Sequence, residues 1–376
     1  MRVIELYSVI IFIFVVTLVW TLVHIGLNEK PDDRVTRETR YQREGNVNEK
    51  PLFETTTETS TVGTTTRKPL HPSFITLFTS FAERERKRDH IQNNTLMNWH
   101  HLRQFNITPV LFSNNHIHQK QSEQFGWTHI PQSKDITILR RPVLKDMFLK
   151  AQELSSSDYY GFTNGDILFY GEQLNETIHA VDKFLKARQF SAYIIVGMRT
   201  NIPYDNGEGN ILSLVSGNDQ EILELSEVGT PQENNGAYDF ILTSKYAFPW
   251  EHFPDFVISQ YGFDSWFMVY GNKFGVPIID ITGTTLMLHQ NEPDLKLMDP
   301  NWLKLNSHNE DLFKSSIPYS GIEQWKRDCA FYNTFFNDDG EVEVRYNNRW
   351  RSEVCTYEQP LIVSKGLKPL FERDSN

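Results

Sequence analysis

Tyr159-Tyr160-Gly161-Phe162-Thr163-Asn164-Gly165-Asp166-Ile167-Leu168-Phe169 decides how the rest of the chain is read. Tyr159 to Thr163 has the aromatic and apolar character of a buried strand. Asn164-Gly165-Asp166 is a turn signal, and Ile167 to Phe169 resumes as an apolar run. A carboxylate at the end of a buried strand is costly unless something cationic meets it. In α/β sheets, ligands bind outside the carboxyl ends of the strands. Asp166 is therefore either a metal-site carboxylate or a turn residue that caps the next segment.

Strands and helices alternate on both sides of this stretch. Phe74 to Phe78 reads as a buried strand, followed by a charged loop from Glu83 to Asp89 and a helix over 91–104. Ile107 to Phe112 is a second strand, ending at Ser113-Asn114-Asn115. Pro142 to Leu154 reads as a helix with Leu144, Met147, Phe148 and Ala151 on one face. After the central stretch come a helix from Glu172 to Arg188 and a strand from Ala192 to Gly197, the latter ending at Met198-Arg199-Thr200-Asn201. Tyr238 to Leu242 and Val276 to Ile281 read as strands, Phe263 to Phe274 as an aromatic helix stopped by Gly275, and Met287 to Gln290 as a last strand. This alternation predicts an α/β domain with a largely parallel central sheet and helices on both faces. The polar run from Tyr204 to Asn235 reads as a long loop with a short helix, a candidate lid. Residues 292–376 are expected to form a C-terminal extension packed on the domain formed by 73–291.

The chain has 376 residues, a formal net charge of −11 and two cysteines, Cys329 and Cys355. Its acidity argues against a sequence-independent grip on nucleic acid, which needs a basic face. Leu6 to Leu27 is almost wholly apolar and meets the ~20 residues a membrane-spanning helix requires. With residues 1–5 as a short tail, it reads as an uncleaved signal anchor at 6–27. The Thr-rich tract in 28–72 cannot bury a core and reads as a disordered, O-glycosylated stalk. Lys30, Arg34, Arg37, Arg40 and Arg43 follow the anchor, so a positive-inside count places the bulk of the chain in the cytosol. The stalk and the sequons at Asn93, Asn106 and Asn175 favour the lumen of the secretory pathway instead. The expectation is a single-pass type II protein of the Golgi or endoplasmic reticulum membrane. In a lumen Cys329 and Cys355 are free to form a disulfide; two free thiols are the alternative.

An ordered set of short motifs resembles the GT-A glycosyltransferases, more narrowly the nucleotide-diphosphosugar transferase-like proteins. It comprises Thr79-Ser80-Phe81, Ile91-Gln92, Trp99, Pro142-Val143-Leu144, Asn164-Gly165-Asp166-Ile167 and Gly197-Met198-Arg199. Asp239-Phe240, Asp264-Ser265-Trp266, Val276 to Thr282 and His289-Gln290-Asn291 continue it in the same order. The chain departs from the pattern in three places. Asn164 stands where such turns have a first Asp, Gln260 where relatives carry an Arg, and Glu292-Pro293-Asp294 follows His289-Gln290-Asn291.

The resemblance implies sugar transfer from a nucleotide diphosphate donor, a UDP-sugar, to a glycan, protein or lipid acceptor, assisted by Mn²⁺ or Mg²⁺. It implies Asp166 and His289 as metal ligands, and Thr79, Ser80, Asn114, Asn164 and Arg199 as donor-binding residues. Asp264 would be the base that deprotonates the acceptor in an inverting reaction, with Asp239 as a second acceptor-side carboxylate. Each has a plainer reading: a helix cap for Asp264, a hydrogen-bonded strand-end histidine for His289, a surface ion pair for Arg199, a loop amide for Asn114. Asp280, inside an apolar strand, reads as a structural hydrogen-bonder. The departures from the pattern motivate an alternative, a transferase-like membrane protein that binds a glycan or partner without turnover.

Overall fold

The computed structural model of the chain describes residues 73–81, 88–132, 135–136, 141–203, 205, 211–232, 238–260, 262–291, 302–316 and 327–355. The expected anchor, stalk and N-terminal tail lie outside the described residues. Among the described residues, no helix is long and apolar enough to cross a membrane.

Among the described residues, fifteen strands and eight α-helices follow in chain order. The first part contains β1 (Ser73–Thr79), α1 (Asp89–Leu102), β2 (Ile107–Phe112), α2 (His116–Gln124) and β3 (Thr128–Ile130). A short hairpin, β4 (Asp135–Ile136) and β5 (Arg141–Pro142), leads into α3 (Leu144–Leu154) and then β6 (Ser157–Thr163), β7 (Ile167–Phe169) and α4 (Gly171–Ala187). Next come β8 (Ile194–Gly197), β9 (Thr200–Pro203), α5 (Asp219–Ser226), β10 (Thr230–Pro231), β11 (Phe240–Thr243) and α6 (Phe263–Phe274). The chain continues through β12 (Ile278–Asp280), β13 (Met287–Asn291), α7 (Trp302–Ser316), β14 (Tyr332–Phe336), β15 (Val342–Tyr346) and α8 (Ser352–Cys355).

The large sheet has nine strands in the order β15-β14-β12-β8-β11-β6-β1-β2-β3. All run parallel except β11 and β15. Its central strands are apolar on both faces because both faces are covered. On one face Phe78, Val110, Phe162 and Val196 pack with Phe148 of α3 and Phe267 of α6. On the other, Leu77, Leu111, Tyr159 and Ile195 pack with Trp99 of α1 and Ile178 of α4. The mixed α/β architecture with a large central sheet is the one expected. Residues 332–346 add two strands to the edge of this sheet, and Cys329 and Cys355 are joined in a disulfide beside them.

A second sheet, β10-β9-β13-β7, has four strands. Its strand β7 begins where the Asn164-Gly165-Asp166 turn ends, so this turn is the bridge from the middle of the large sheet into the small one. Gly165 is needed there. A Cβ at that position would lie 2.8 Å from the Phe81 ring and 3.1 Å from the Ser80 carbonyl.

The sequence reading of 204–235 as a lid is corrected for residues 211–226. Asn94 of α1 holds Leu212 O and Leu214 N through its side-chain amide, and Asn98 donates to Gly217 O. Asp219 accepts from the backbone N–H groups of Gly171 and Glu172 at the start of α4. The segment is fastened to two helices rather than free to close.

Candidate active site

The parallel strands β1, β2, β6, β8 and β12 all end at one edge of the large sheet, and the candidate residues gather there. Antiparallel pairing sets Phe240 opposite Thr163 on one side and Gly197 on the other. One residue earlier, Asp239 therefore meets Asn164 and the chain leading to Arg199. In the small sheet, His289 is in register with Ile167 on one side and Asn201 on the other, which brings it beside Asp166. Two sheets sharing one turn thus collect residues from four distant segments.

The central pair is Asp166 and His289, with Oδ2 3.7 Å from Nε2. Both are largely buried, with side-chain exposures of 17% and 12%. Burial pushes the Asp166 carboxyl up, but His289, Arg88 and Arg199 outweigh it and hold the pKa at about 2. Asp166 is thus a carboxylate throughout the ordinary pH range.

Asp239 is 5% exposed. Its Oδ1 accepts from Arg199 Nη1 at 2.6 Å and from Asn164 Nδ2 at 2.9 Å. Burial raises its pKa even though Arg199 and His289 pull it down. Arg199, expected at the diphosphate, is engaged by Asp239 and by Asn201 Oδ1. Asp264, at the first turn of α6, accepts from Tyr238 N at 3.2 Å. Burial, together with the charge of Asp239, raises its pKa to about 6.

The remaining expected residues are more dispersed in role. Thr79 ends β1 fully buried, with its hydroxyl oxygen unpartnered. Ser80 Oγ accepts from Gln132 Nε2. Asn114 is exposed and accepts from Gln132 N, which is the plain loop role. Asp280 is buried and accepts from Thr282 N, as the structural reading of it required. Of the sequons, Asn106 is exposed, while Asn93 and Asn175 are half-buried and their partners Thr95 and Thr177 are wholly buried.

Three buried oxygens in this cluster have no partner: Asn164 Oδ1, Asp166 Oδ1 and Asp239 Oδ2. Unsatisfied buried acceptors are costly, and a hard cation satisfies oxygens of this kind. Among the described residues, no three His, Cys, Asp or Glu side chains converge as a closed metal cage. An open pair such as Asp166 and His289 suits an ion that draws its other ligands from substrate or water. Mg²⁺ habitually binds in that way, through one or two carboxylates plus phosphate oxygens. A cavity of about 370 Å³ lined by Phe74, Gln104, Phe105, Asn106, Asn175 and His179 lies at the opposite end of the strands. It holds no carboxylate and is not this site.

No protein-family model matches the chain, and no curated protein matches it. Among solved structures it is similar to glucosyl-3-phosphoglycerate synthase from Mycobacterium tuberculosis in complex with Mg²⁺ and uridine diphosphate. That match has 11% identity and a TM-score of 0.37, covering 73% of this chain and 87% of the other. The same enzyme with Mn²⁺, UDP-glucose and phosphoglyceric acid matches at 12% identity and a TM-score of 0.36, with 73% and 87% covered. Staphylococcus aureus TarS, residues 1–349, matches at 9% identity and a TM-score of 0.22, over 34% of this chain and 36% of that one.

Several residues that hold the site carry no catalytic signature in the sequence. Helix α1 turns a polar face inward: Thr95 donates to Gly165 O at 2.9 Å, and Trp99 Nε1 to Ile167 O at 2.9 Å. Gln290, next to His289, donates its backbone N–H to Asp166 O at 3.1 Å. Its buried amide also bonds Asn94 and Thr95. Asn201 sits between His289 Nδ1 (3.0 Å) and Arg199 Nε (3.1 Å). Helix α1 is mostly polar, so its buried Gln92, Asn94, Thr95 and Asn98 do not stand out in the sequence; for Gln290 and Asn201 only strand register reveals the role.

Proposed function

We propose that this chain is a glycosyltransferase of the GT-A type that moves a sugar from a nucleotide diphosphate, a UDP-sugar, to an acceptor hydroxyl. The single observation that carries the reading is the placement of Asp166 beside His289 at 3.7 Å, at the edge of the sheet where ligands of α/β folds bind. The unpartnered oxygens around them support a divalent cation, and the ordered motifs support the donor class.

Asp166 and His289 would hold Mn²⁺ or Mg²⁺, with Asn164 Oδ1 nearby. When bound, the ion offsets the charge that develops on the leaving diphosphate. Asp264 is the base: its carboxylate takes the proton from the acceptor hydroxyl as that oxygen bonds to the anomeric carbon and the bond to the β-phosphate breaks. A pKa of about 6 suits this task, being close to neutral pH while leaving the carboxylate as the main form. Asp239 and Arg199 neutralise one another and orient Asn164. A single-pass type II topology with this domain in a secretory lumen completes the proposal; the Cys329–Cys355 disulfide supports an oxidising compartment.

The test is a screen of nucleotide sugars with the full chain, with and without Mn²⁺, reading donor hydrolysis and transfer. Mn²⁺-dependent turnover of one donor is expected. Binding of a glycan with no turnover of any donor would favour the transferase-like binding protein.

A further inference from the structure

The face that His289 turns toward Asp166 is set from behind. Arg199 Nε has a proton and no lone pair to offer, so it is a donor only. It lies 3.1 Å from Asn201 Oδ1, which must therefore be the amide oxygen and not the nitrogen. The same oxygen lies 3.0 Å from His289 Nδ1. An amide oxygen cannot donate, so the imidazole must: the proton sits on Nδ1. That leaves Nε2 as the nitrogen turned to Asp166 Oδ2, 3.7 Å away. A bare nitrogen lone pair facing a carboxylate is repulsive; a second proton, on Nε2, removes the repulsion in the metal-free site, and a divalent cation between the two takes that proton's place.

We propose that Asn201, oriented by Arg199, is a positioning residue that locks His289 with its proton on Nδ1 and presents Nε2, together with Asp166, to a divalent cation. This rests on the transferase reading above for the presence of the cation, although the tautomer does not. The strand register explains why Asn201 can do this. Parallel pairing of β9 and β13 puts Asn201 directly beside His289, and Arg199 two residues earlier reaches back over it to Asp239. One guanidinium thus fixes an amide and neutralises an acid at once. A histidine ligand whose second nitrogen donates to a fixed acceptor is held in both ring orientation and tautomer.

The experiment uses the full chain with ¹⁵N-labelled histidine rings, His289 being assigned by its loss in His289→Gln. In wild type the Nδ1 signal should be that of a protonated nitrogen, with and without Mg²⁺. A second arm measures Mn²⁺ binding in the presence of UDP for wild type, Asn201→Leu and Asn201→Asp. Loss of the acceptor in Asn201→Leu should mix the tautomers and weaken Mn²⁺ binding by about 10–100-fold. Asn201→Asp, which keeps an acceptor oxygen, should stay within a few-fold of wild type and retain the Nδ1 proton. A wild-type His289 protonated only on Nε2, or undiminished Mn²⁺ affinity in Asn201→Leu, would overturn the proposal. Wild type that binds no Mn²⁺ contradicts the transferase reading itself, and the ring signals then still decide the tautomer.

Discussion

Arg199 and Asp239 form a buried ion pair, Nη1 to Oδ1 at 2.6 Å, at the point where strands β6, β8 and β11 converge on the site. The guanidinium is 19% exposed and the carboxylate 5%. Burial still raises the Asp239 pKa, so desolvation outweighs the pairing. The pair therefore contributes order more than net stability. Removing only the cation strands a buried charge: Arg199→Met should cost about 3–5 kcal/mol. Adding Asp239→Asn to it should recover part of that loss. Urea denaturation of the single and double variants checks both.

Asp264 gives the pH dependence. Its folded pKa, about 6, exceeds the ordinary value near 4 because burial disfavours the charge. A carboxyl raised in this way favours folding below its unfolded pKa, and the advantage is lost as pH rises through about 6. Asp264→Asn, which cannot ionise, should be more stable than wild type at pH 8 by up to about 3 kcal/mol. At pH 4 the two should be alike. Thermal melts at both pH values check the sign. Transfer by wild type should fall below about pH 6, and the variant should be nearly inactive throughout.

Gln290 should be needed for the placement of Asp166 rather than for chemistry. Its buried amide bonds Asn94, Thr95 and Ile91 O, and approaches Asp166 O at 3.4 Å. Gln290→Leu leaves those groups unsatisfied and should cost roughly 1–3 kcal/mol. Hydrogen exchange at the amides of residues 166–168 should quicken, and UDP affinity should fall without any change in the pH profile of transfer.

The disulfide should act on stability alone. Cys329 and Cys355 are 26 residues apart and join the segments flanking the β14–β15 hairpin. Cys355→Ser should lower stability by roughly 3–4 kcal/mol on the chain-entropy estimate. Differential scanning calorimetry checks this, and the Mn²⁺ and UDP affinities of the variant should match wild type.

The parts of the fold that were legible in the sequence are those with one clear physical signal. Ile107–Phe112 and Phe263–Phe274 match their expected bounds because each is a dense apolar or aromatic run ended by a turn residue. Helix α2 (His116–Gln124) was not legible: it buries only His118 and Ser122 and so shows no apolar stripe. The hairpin 332–346 was missed because its strands lie at a sheet edge, mostly half-buried or exposed, and lack a strong alternation. At the site, Asp166, His289, Asp239 and Asp264 were legible as charged or titratable groups at strand and helix ends. Asn201 was not, nor was the supporting role of Gln290, which was read only as part of His289-Gln290-Asn291, since a neutral amide on a strand announces nothing until its neighbours are known. Arg199 was legible as a cation but not its partner: Asp239 lies one residue before β11, which is inserted between β6 and β8, and only that antiparallel insertion joins them.

The most direct test of the claim that Asp166 and His289 hold a divalent cation beneath a diphosphate is calorimetric titration of UDP. It is run into the full chain with and without Mn²⁺, on wild type and Asp166→Asn. We expect wild type to bind UDP only with Mn²⁺ present, and Asp166→Asn to bind at least about 100-fold more weakly. UDP binding of equal strength with and without Mn²⁺, or an unchanged affinity in Asp166→Asn, would contradict it.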